Sequence, residues 1–482
     1  MTSSNYQTNS VDLDSTYIVG NDPNYQGIQA AVTNRKTVVF GQQLLTQTYP
    51  IGNLNGAINY VQSLPGTMVD RDSTTITGVA PTAVFYRNRA NTSQSLIRAN
   101  FGALLENTPQ INTWYYYGNG LSSPIQVGTT SNWAQVACGY RFSLALTSNG
   151  TLYGWGTDLY NLQTSTGLST PSQIGTNTWS NVTCGYRQTL AIQSPGTLWA
   201  WGYNNYGQLG LNTSTYYSSP VQIGALTTWI AISGGYNTSL AIQSNGTLWA
   251  WGQNNNGQLG LSDTTNRSSP VQVGLLSNWA QVTTKYQVTA AIQSNGTLWV
   301  CGYNNYGQLG LNDITNRSSL VQVGALSSWT QASCGQNALL ALQNNGTLWA
   351  AGNNGQGQLG INSRSVISTS SPVQVGTTSS WARIGVSGIG PAQFAIQSNG
   401  TLWTWGGGSS ALGLNTASGS IFSPVQIGTL SSWSLISNAT WPTDQVLALQ
   451  TNGTLWSWGG NTYGQLGIPP QGISATKIVY GL

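Results

Sequence analysis

Short apolar segments separated by turns of Gly, Ser and Asn return about every fifty residues between residues 113 and 482. The pattern is clearest at residues 244–252, where Ser-Asn-Gly precedes Thr-Leu-Trp-Ala-Trp-Gly. Because Asn and Gly tolerate positive φ, the triplet predicts a tight turn. The alternation that follows predicts a strand with Leu248 and Ala250 on one face and Trp249 and Trp251 on the other. This part of the chain is therefore predicted to be an all-β repeat protein.

Two markers each occur seven times. The central glycine of the turn recurs at Gly150, Gly196, Gly246, Gly296, Gly346, Gly400 and Gly453. A tryptophan that opens an earlier strand recurs at Trp133, Trp179, Trp229, Trp279, Trp329, Trp381 and Trp433. One unit, residues 220–252, is predicted to hold four strands, at 221–223, 229–233, 238–243 and 247–251. Such a unit cannot bury both faces alone, so the fold class is predicted to be a seven-bladed β-propeller.

The ends of the repeat region predict how the ring closes. Residues 114–118, Trp-Tyr-Tyr-Tyr-Gly, have the pattern of a surplus fourth strand, and residues 476–481, Thr-Lys-Ile-Val-Tyr-Gly, that of a surplus first strand. We predict that one or both complete a blade shared by the two termini. The sequence leaves open which of them does so.

The repeat resembles that of a known family. Residues 184–202, Cys-Gly-Tyr-Arg-Gln-Thr-Leu-Ala-Ile-Gln-Ser-Pro-Gly-Thr-Leu-Trp-Ala-Trp-Gly, followed by Asn-Tyr-Gly-Gln-Leu-Gly-Leu at 205–211, resemble the regulator of chromosome condensation repeat. The resemblance covers all seven units and implies a seven-bladed propeller. It leaves the role open, because members of that superfamily act in nucleotide exchange on a small GTPase, in chromatin binding or as enzyme inhibitors.

The chain also departs from that family's pattern. The histidine common after the Cys-Gly pair is replaced by Phe142, Gln188, Thr238, Val288 and Ala338. Residues 113–482 contain no Glu, and their acidic residues are Asp158, Asp263, Asp313 and Asp444. An exchange-factor surface needs charged residues to compete for a nucleotide-bound partner. We therefore expect neither nucleotide exchange nor chromatin binding.

Composition narrows the function further. The chain has 14 basic and 10 acidic residues and no histidine among 482 residues. This sparse charge excludes a nucleic-acid footprint, and no apolar run is long enough for membrane insertion. The start lacks a secretory signal pattern. Four cysteines without metal-ligand spacing, predicted to be buried free thiols in a protein made in a reducing cytoplasm, are Cys138, Cys184, Cys301 and Cys334.

The sequence offers no convincing catalytic group. Without histidine, a Ser–His–Asp or Cys–His arrangement is impossible. Asp70 and Asp72 flank Arg71 and could share a strand face, but a solvated pair in a loop is the simpler interpretation. We find no phosphate-binding loop with a following lysine. The protein is therefore predicted to be non-enzymatic, with no catalytic residue, metal or cofactor.

The loops after the last strand of each unit are the candidate binding rim, since propeller symmetry places them together. Aromatic rings there could pack on sugars and amides could bind hydroxyls. The alternative is that these are turn residues filling a repeat template. The rim candidates are Tyr203, Asn204, Tyr206, Asn254, Asn255, Tyr303, Asn304, Tyr306 and Tyr463. The tryptophans assigned a structural role in the repeat are Trp199, Trp249, Trp299, Trp349, Trp403 and Trp456.

Residues 1–112 lack the repeat and are predicted to form a small mixed docking domain with an extended arm. Short helices are predicted at 25–33 and 57–63, strands at 37–40, 74–77 and 83–86, and a helix or strand at 95–106. An arm joined to a stiff β module is typical of a subunit that docks into an assembly and displays the module.

These features lead to a functional hypothesis. The chain is interpreted as a virion structural protein, such as a tail or neck fibre, a baseplate appendage or a capsid decoration. It would bind other virion proteins through residues 1–112 and display the propeller to a host-surface glycan or protein, with homo-oligomerisation left open. The alternative is a bacterial protein-binding or carbohydrate-binding propeller of the cytoplasm or cell surface, such as an enzyme inhibitor.

Overall fold

Seven four-stranded antiparallel sheets account for the repeat region. The structure, a computed structural model, describes residues 121–468 except 159–166, 336, 387–389, 409, 416–418 and 439–443, together with ten backbone strands between residues 18 and 116. The chain divides into two compact units, Gly120–Pro469 and a second formed by Met1–Asn119 with Pro470–Leu482. The sheets of the first unit are the seven predicted blades, so the predicted fold class is confirmed.

Blades are numbered in chain order, and their strands are numbered from first to fourth. The strands are Trp133–Cys138, Phe142–Thr147, Thr151–Gly156 and Leu168–Thr178 in blade 1; Asn181–Cys184, Gln188–Gln193, Thr197–Gly202 and Tyr217–Gln222 in blade 2; Trp229–Gly234, Thr238–Gln243, Leu248–Gly252 and Arg267–Gln272 in blade 3; Trp279–Lys285, Val288–Gln293, Leu298–Gly302 and Arg317–Gln322 in blade 4; Trp329–Cys334, Ala338–Gln343, Leu348–Asn353 and Ser368–Gln374 in blade 5; Trp381–Val386, Gln393–Gln397, Leu402–Gly406 and Ile421–Gln426 in blade 6; and Trp433–Asn438, Val446–Gln450, Leu455–Gly459 and Leu121–Gln126 in blade 7.

The order of strands within a blade differs from the prediction. The Pro-Val-Gln segment around Val221 is the fourth strand of blade 2, paired with Ala200, and not the first strand of the next blade. This strand forms the outer edge of its sheet, where Pro220 removes no ladder hydrogen bond that the blade needs. A register shift between Ala200 and Gly202 marks a bulge in the pairing. Each blade therefore begins at the strand that the recurring tryptophan opens or, in blade 2, precedes by two residues.

Blade 7 contains strands from both ends of the propeller. Leu121–Gln126 pairs antiparallel with Leu455–Gly459 and completes that sheet. The predicted closure by a shared blade is thus correct, but the prediction that residues 114–118 supply the closing strand is wrong. Trp114 lies in a hairpin strand, Ile111–Tyr116, that pairs with Ala103–Thr108, and residues 476–481 lie outside the described part of the chain.

The first strands of successive blades are neighbours around the ring, and the first strands of blades 7 and 1 also meet. They therefore surround the central axis. Apolar clusters fill all seven junctions between neighbouring blades. At the junction of blades 3 and 4, Leu248 and Ala250 pack with Trp279, whereas Trp249 and Trp251 pack on blade 2. The predicted alternation along this strand is confirmed.

Hydrogen bonds also join neighbouring blades through the Gly-Gln-Leu-Gly loops. The carbonyl of Gln208 accepts hydrogen bonds from Trp251 Nε1 at 2.9 Å and from Ser239 Oγ at 2.8 Å. The carbonyl of Gln465 accepts equivalent bonds from Trp155 Nε1 at 2.7 Å and Ser143 Oγ at 2.8 Å. The second set joins blade 7 to blade 1. The same motif that links consecutive blades therefore also closes the ring.

Within residues 18–116 the described elements are strands. They are Ile18–Gly20, Ile28–Ala30, Lys36–Phe40, Thr48–Ile51, Thr67–Val69, Thr75–Thr77, Ala83–Arg87, Ser95–Ala99, Ala103–Thr108 and Ile111–Tyr116. The predicted helix at 25–33 is wrong over Ile28–Ala30, which pairs with Ile18–Gly20; a short helix without a packed face is weaker than such a pairing. Strands were predicted at 37–40, 74–77 and 83–86; the first and third are confirmed, and the second is confirmed over Thr75–Thr77. Of residues 95–106, predicted as a helix or strand, Ser95–Ala99 and the part that belongs to Ala103–Thr108 are strands. Residues 57–63 lie outside the described ones.

Candidate functional site

Two sets of loops emerge at the same end of the propeller. In an antiparallel blade, the loop between the first and second strands lies beside the loop between the third and fourth. In blade 1 the backbone N–H of Thr157, after the third strand, donates to the carbonyl of Arg141, before the second, at 2.8 Å. We call this end the tyrosine face. The opposite end, the turn face, carries the Ser-Asn-Gly turns and the connections between blades.

A row of tyrosines borders the central axis on the tyrosine face. In blades 1 to 4 the same repeat position, one or two residues after the end of the first strand, is a tyrosine. These residues are Tyr140, Tyr186, Tyr236 and Tyr286, and each side chain is half-buried. Ring centroids of successive members are 4.5, 4.3 and 5.4 Å apart. We call these four residues the tyrosine arc. Because each blade contributes its ring from a fixed strand end, the arc is a rigid aromatic surface.

Two hydroxyl groups of the arc, those of Tyr186 and Tyr236, are held in their neutral form. Burial raises the pKa of Tyr186 above its ordinary value, and the neighbouring tyrosines Tyr236 and Tyr140 raise it further. Burial also raises the pKa of Tyr236. These phenols therefore stay protonated at neutral pH and retain hydrogen-bond donors.

Arginines lie among the tyrosines. The guanidinium carbon of Arg141 lies 4.5 Å from the ring centroid of Tyr140 and 4.2 Å from that of Tyr463. Its Nη2 donates to the Tyr140 hydroxyl at 2.7 Å. Arg187 contacts Asp158, with 3.0 Å between Nε and Oδ2, and its guanidinium carbon lies 5.7 Å from the ring centroid of Tyr203. Cation–π packing thus connects the arc to the loops of the predicted rim.

The tyrosines of the predicted rim lie on the tyrosine face. Tyr206 and Tyr306 are 36% and 38% exposed, and Tyr203, Tyr303 and Tyr463 are half-buried. The ring of Tyr203 stacks on that of Tyr216, with centroids 6.0 Å apart and planes 3° apart. These rings extend the aromatic surface from the axis towards the outside of the propeller.

Three asparagines assigned to the rim are instead buried: Asn204, Asn254 and Asn304 are each 0% exposed. In blade 3, Asn254 Oδ1 accepts from the Leu259 N–H at 2.9 Å, and Nδ2 donates to the Asp263 carbonyl and Oδ1, both at 3.0 Å. An amide with both ends occupied has nothing to offer a ligand. The structure therefore corrects their inclusion in the binding rim; Asn255, next in sequence, is exposed.

Replacement of Asn254 by alanine is expected to destabilise the propeller by about 2 kcal/mol, because it leaves the buried Leu259 N–H without an acceptor. Asn255→Ala is the matched control, since it removes an exposed amide from the neighbouring position, and it is expected to stay within about 0.5 kcal/mol of the parent. The midpoints of urea denaturation measure both effects. Equal midpoints for the two variants would show that the buried amide does not hold the loop.

The tryptophans assigned a structural role lie away from this surface. Trp249 packs edge-on against Trp229, with centroids 5.9 Å apart and planes 78° apart, and its Nε1 donates to Thr247 Oγ1 at 3.0 Å. Edge-to-face partners in the other blades are found for Trp199, Trp299, Trp349, Trp403 and Trp456. They pack the first strand against the third.

The described residues hold no group of three or more His, Cys, Asp or Glu side chains able to bind a metal ion. All four cysteines are free and buried, as predicted, and burial raises their pKa values, to about 12 for Cys138 and about 11 for Cys334. Asp70 and Asp72 fall outside the described residues. Within the described part of the chain, no helix has the length and apolarity needed to cross a membrane.

Comparisons with known proteins agree with this architecture. Residues 102–317 match the RCC1-like domain, and residues 295–342 and 452–477 match the regulator of chromosome condensation (RCC1) repeat. No curated protein sequence matches the chain. Over these residues the chain thus resembles RCC1-type repeats, in agreement with the propeller fold.

Solved propellers share the fold at low sequence identity. Human WBSCR16 is 20% identical with a TM-score of 0.59, and the alignment covers 70% of this chain and 89% of that one. Prp20p from Saccharomyces cerevisiae is 18% identical with a TM-score of 0.59, over 68% of this chain and 82% of that one. The structure of Prp20p is described together with its binding to Gsp1p and histones. At these identities the likeness establishes the fold.

Proposed function

We propose that the protein is a non-enzymatic binding module that holds a protein partner on its tyrosine face. The observation that carries this proposal is the continuous arc of Tyr140, Tyr186, Tyr236 and Tyr286, extended by Arg141 and Tyr463. Tyrosine and arginine are the side chains enriched at the energetic centres of protein interfaces. Rigid rings cost little conformational entropy when a partner binds. An RCC1-type propeller is a fitting scaffold, since Prp20p of the same fold is described as binding proteins.

The buried asparagines favour a protein partner over a sugar. Carbohydrate recognition by this rim needed exposed amides beside the tyrosines, and Asn204, Asn254 and Asn304 are 0% exposed. Tyr206 and Tyr306 remain able to stack on a ligand. The amides of these three asparagines, however, are used inside their loops, which leaves Asn255 as the exposed asparagine of the predicted rim.

The narrower hypothesis of a virion structural protein rests on composition and on the non-repeat segment 1–112. Display of this propeller on a virion, with attachment through residues 1–112, stays a prediction. The virion hypothesis is compatible with the proposed binding face, because it concerns the assembly to which the propeller is attached and not the surface through which the propeller binds. Locating the chain in a native particle by imaging would test it.

Selection of random displayed peptides on the immobilised full chain tests the proposed face. Binders are expected to lose at least about tenfold in affinity for Tyr186→Ala or Tyr206→Ser, because a buried aromatic contact contributes more than 1 kcal/mol at an interface centre. The control variant is Leu275→Ser on the turn face, whose side chain is 94% exposed. Binders that tolerate both tyrosine variants but fail with Leu275→Ser would place the binding surface on the turn face. A selection that yields no binder would contradict the proposal altogether.

A further inference from the structure

Two arginines occupy the same repeat position on the tyrosine face but differ in their neighbours. Arg141 and Arg187 each lie directly before the second strand, in blades 1 and 2. Arg187 pairs with Asp158 of blade 1, with 3.0 Å between Nε and Oδ2, and the Asp158 side chain is 1% exposed. The repeat thus shows that an arginine at this position can bind a carboxylate presented by the neighbouring blade.

The corresponding position beside Arg141 holds no carboxylate. Asp158 lies two residues after the third strand of blade 1, and Asn461 lies two residues after the third strand of blade 7. The amide of Asn461 carries no charge, and its Oδ1 accepts a hydrogen bond from the Leu466 N–H at 3.0 Å. Among the described residues, no carboxylate forms an ion pair with Arg141. The guanidinium, which stays protonated in proteins, therefore keeps its full charge without a partner of opposite sign.

The contacts of Arg141 hold its guanidinium in one place. It lies between two rings, 4.5 Å from the centroid of Tyr140 and 4.2 Å from that of Tyr463, and its Nη2 donates to the Tyr140 hydroxyl at 2.7 Å. Nε is buried and Nη1 is not, and neither has a hydrogen-bond partner in the described part of the chain. The two N–H groups of Nη1 are therefore available to a ligand. A cation already held between two aromatic rings loses little conformational freedom when an anion binds.

We propose that Arg141, between Tyr140 and Tyr463, anchors the carboxylate of an Asp or Glu side chain of the protein partner. This inference rests on the proposed function and adds the chemistry of the partner's anchoring residue. The partner supplies to Arg141 the charge that Asp158 supplies to Arg187 within the chain. Hydrogen bonds between a guanidinium and a carboxylate are charge-assisted, and they are among the strong hydrogen bonds of proteins.

The decisive variant is Asn461→Asp, which introduces a carboxylate at the position that Asp158 occupies in blade 1. It keeps Arg141 and both rings, and an aspartate oxygen can still accept the Leu466 N–H. Isothermal titration measures its affinity for peptides selected on the full chain and synthesised with amidated C termini. Asn461→Asp is expected to weaken binding about ten- to hundredfold, the loss typical of a hydrogen bond to a charged group.

Asn255→Asp is the matched control, because it adds the same charge to the tyrosine face at an exposed position of blade 3. It is expected to bind the peptides within about threefold of the parent, since an exposed charge interacts weakly with its surroundings. Equal losses for Asn461→Asp and Asn255→Asp would reveal a general effect of charge and would overturn the anchoring role.

Changes on the peptide side identify the anchored group. Each Asp or Glu of a peptide is replaced by Asn or Gln, and one position is expected to lose about ten- to hundredfold against the parent protein. The same replacement is expected to cost little against Arg141→Met or Asn461→Asp, because the interaction is already absent there. Urea midpoints of the free proteins show which variants are folded, and Arg141→Met carries the cycle if Asn461→Asp is not.

Two results separate this inference from the proposed function. Peptides that lose affinity with Tyr186→Ala but bind Arg141→Met and Asn461→Asp as they bind the parent would overturn the carboxylate anchor and leave the binding face intact. Peptides that tolerate both Tyr186→Ala and Tyr206→Ser would overturn the proposed function, and the anchor with it.

Discussion

Removal of residues 1–127 is expected to destabilise the propeller by about 3–6 kcal/mol more than removal of residues 1–119. The longer deletion takes away Leu121–Gln126, the outer strand of blade 7, together with Val127, which is 1% exposed. Burial of a valine side chain contributes about 1.5–3 kcal/mol, and each ladder hydrogen bond about 0.5–1.5 kcal/mol. Among the lost bonds is the one from the Val127 N–H to the Leu455 carbonyl, at 2.7 Å.

The comparison isolates the closing strand because both deletions remove Met1–Asn119, the N-terminal part of the other unit, and both keep Pro470–Leu482. Urea denaturation followed by tryptophan fluorescence measures the difference. Equal midpoints for the two deletions would mean that residues 121–127 do not close the ring. The account would then have to assign closure to the Gly-Gln-Leu-Gly loop that joins blade 7 to blade 1.

Gly210→Ala is expected to destabilise the propeller by about 2–4 kcal/mol. Gly210 has a φ of 73°, where a residue with a Cβ pays about 1–2 kcal/mol. A Cβ there would also lie 2.8 Å from Trp251 Nε1, the atom that donates to the Gln208 carbonyl at 2.9 Å. The substitution therefore strains the loop and displaces the hydrogen bond between blades 2 and 3.

Gly224→Ala is the matched control for this variant. Gly224 has a φ of 60°, but a Cβ there would meet nothing within 4 Å. It is expected to lose only the conformational part, about 1 kcal/mol. The difference between the two variants measures the clash with Trp251, and similar denaturation midpoints for both would show that this contact between blades contributes little.

The sequence predicts the blades well because their signals are local. The period-2 alternation of Leu248, Trp249, Ala250 and Trp251 fixes which face of the strand meets which neighbour. The turn glycines and opening tryptophans each mark one blade. Counting either marker is therefore enough to predict seven blades.

The assignment of the fourth strand could not be read from these local signals. The Pro-Val-Gln segment lies in sequence between two tryptophan-bearing strands and is compatible with either. Pairing of Val221 with Ala200 settles it. The same motif at residues 124–126, Pro-Ile-Gln, was the available signal for the closing strand.

The binding surface was predicted only in part. The rim tyrosines reach the tyrosine face. Asn254 and its counterparts, however, use their amide groups to hold their own loops, and these are the groups that a ligand would have required. Sequence cannot distinguish those two uses of an amide. The tyrosine arc was missed, although the recurrence of tyrosine at one repeat position in four consecutive blades is visible in the sequence. This recurrence indicates an aromatic surface only once the closed propeller is known to bring the four positions together.

Hydrogen exchange on the full chain, with and without a selected peptide binder, tests the proposed binding face most directly. The account predicts slower exchange in the loops that hold the tyrosine arc, around Tyr186 and Tyr236, and in the loop of Tyr206. It predicts unchanged exchange in the turns around Gly246 and Gly296. Protection confined to those turns would contradict the claim that this propeller binds its partner through the tyrosine face.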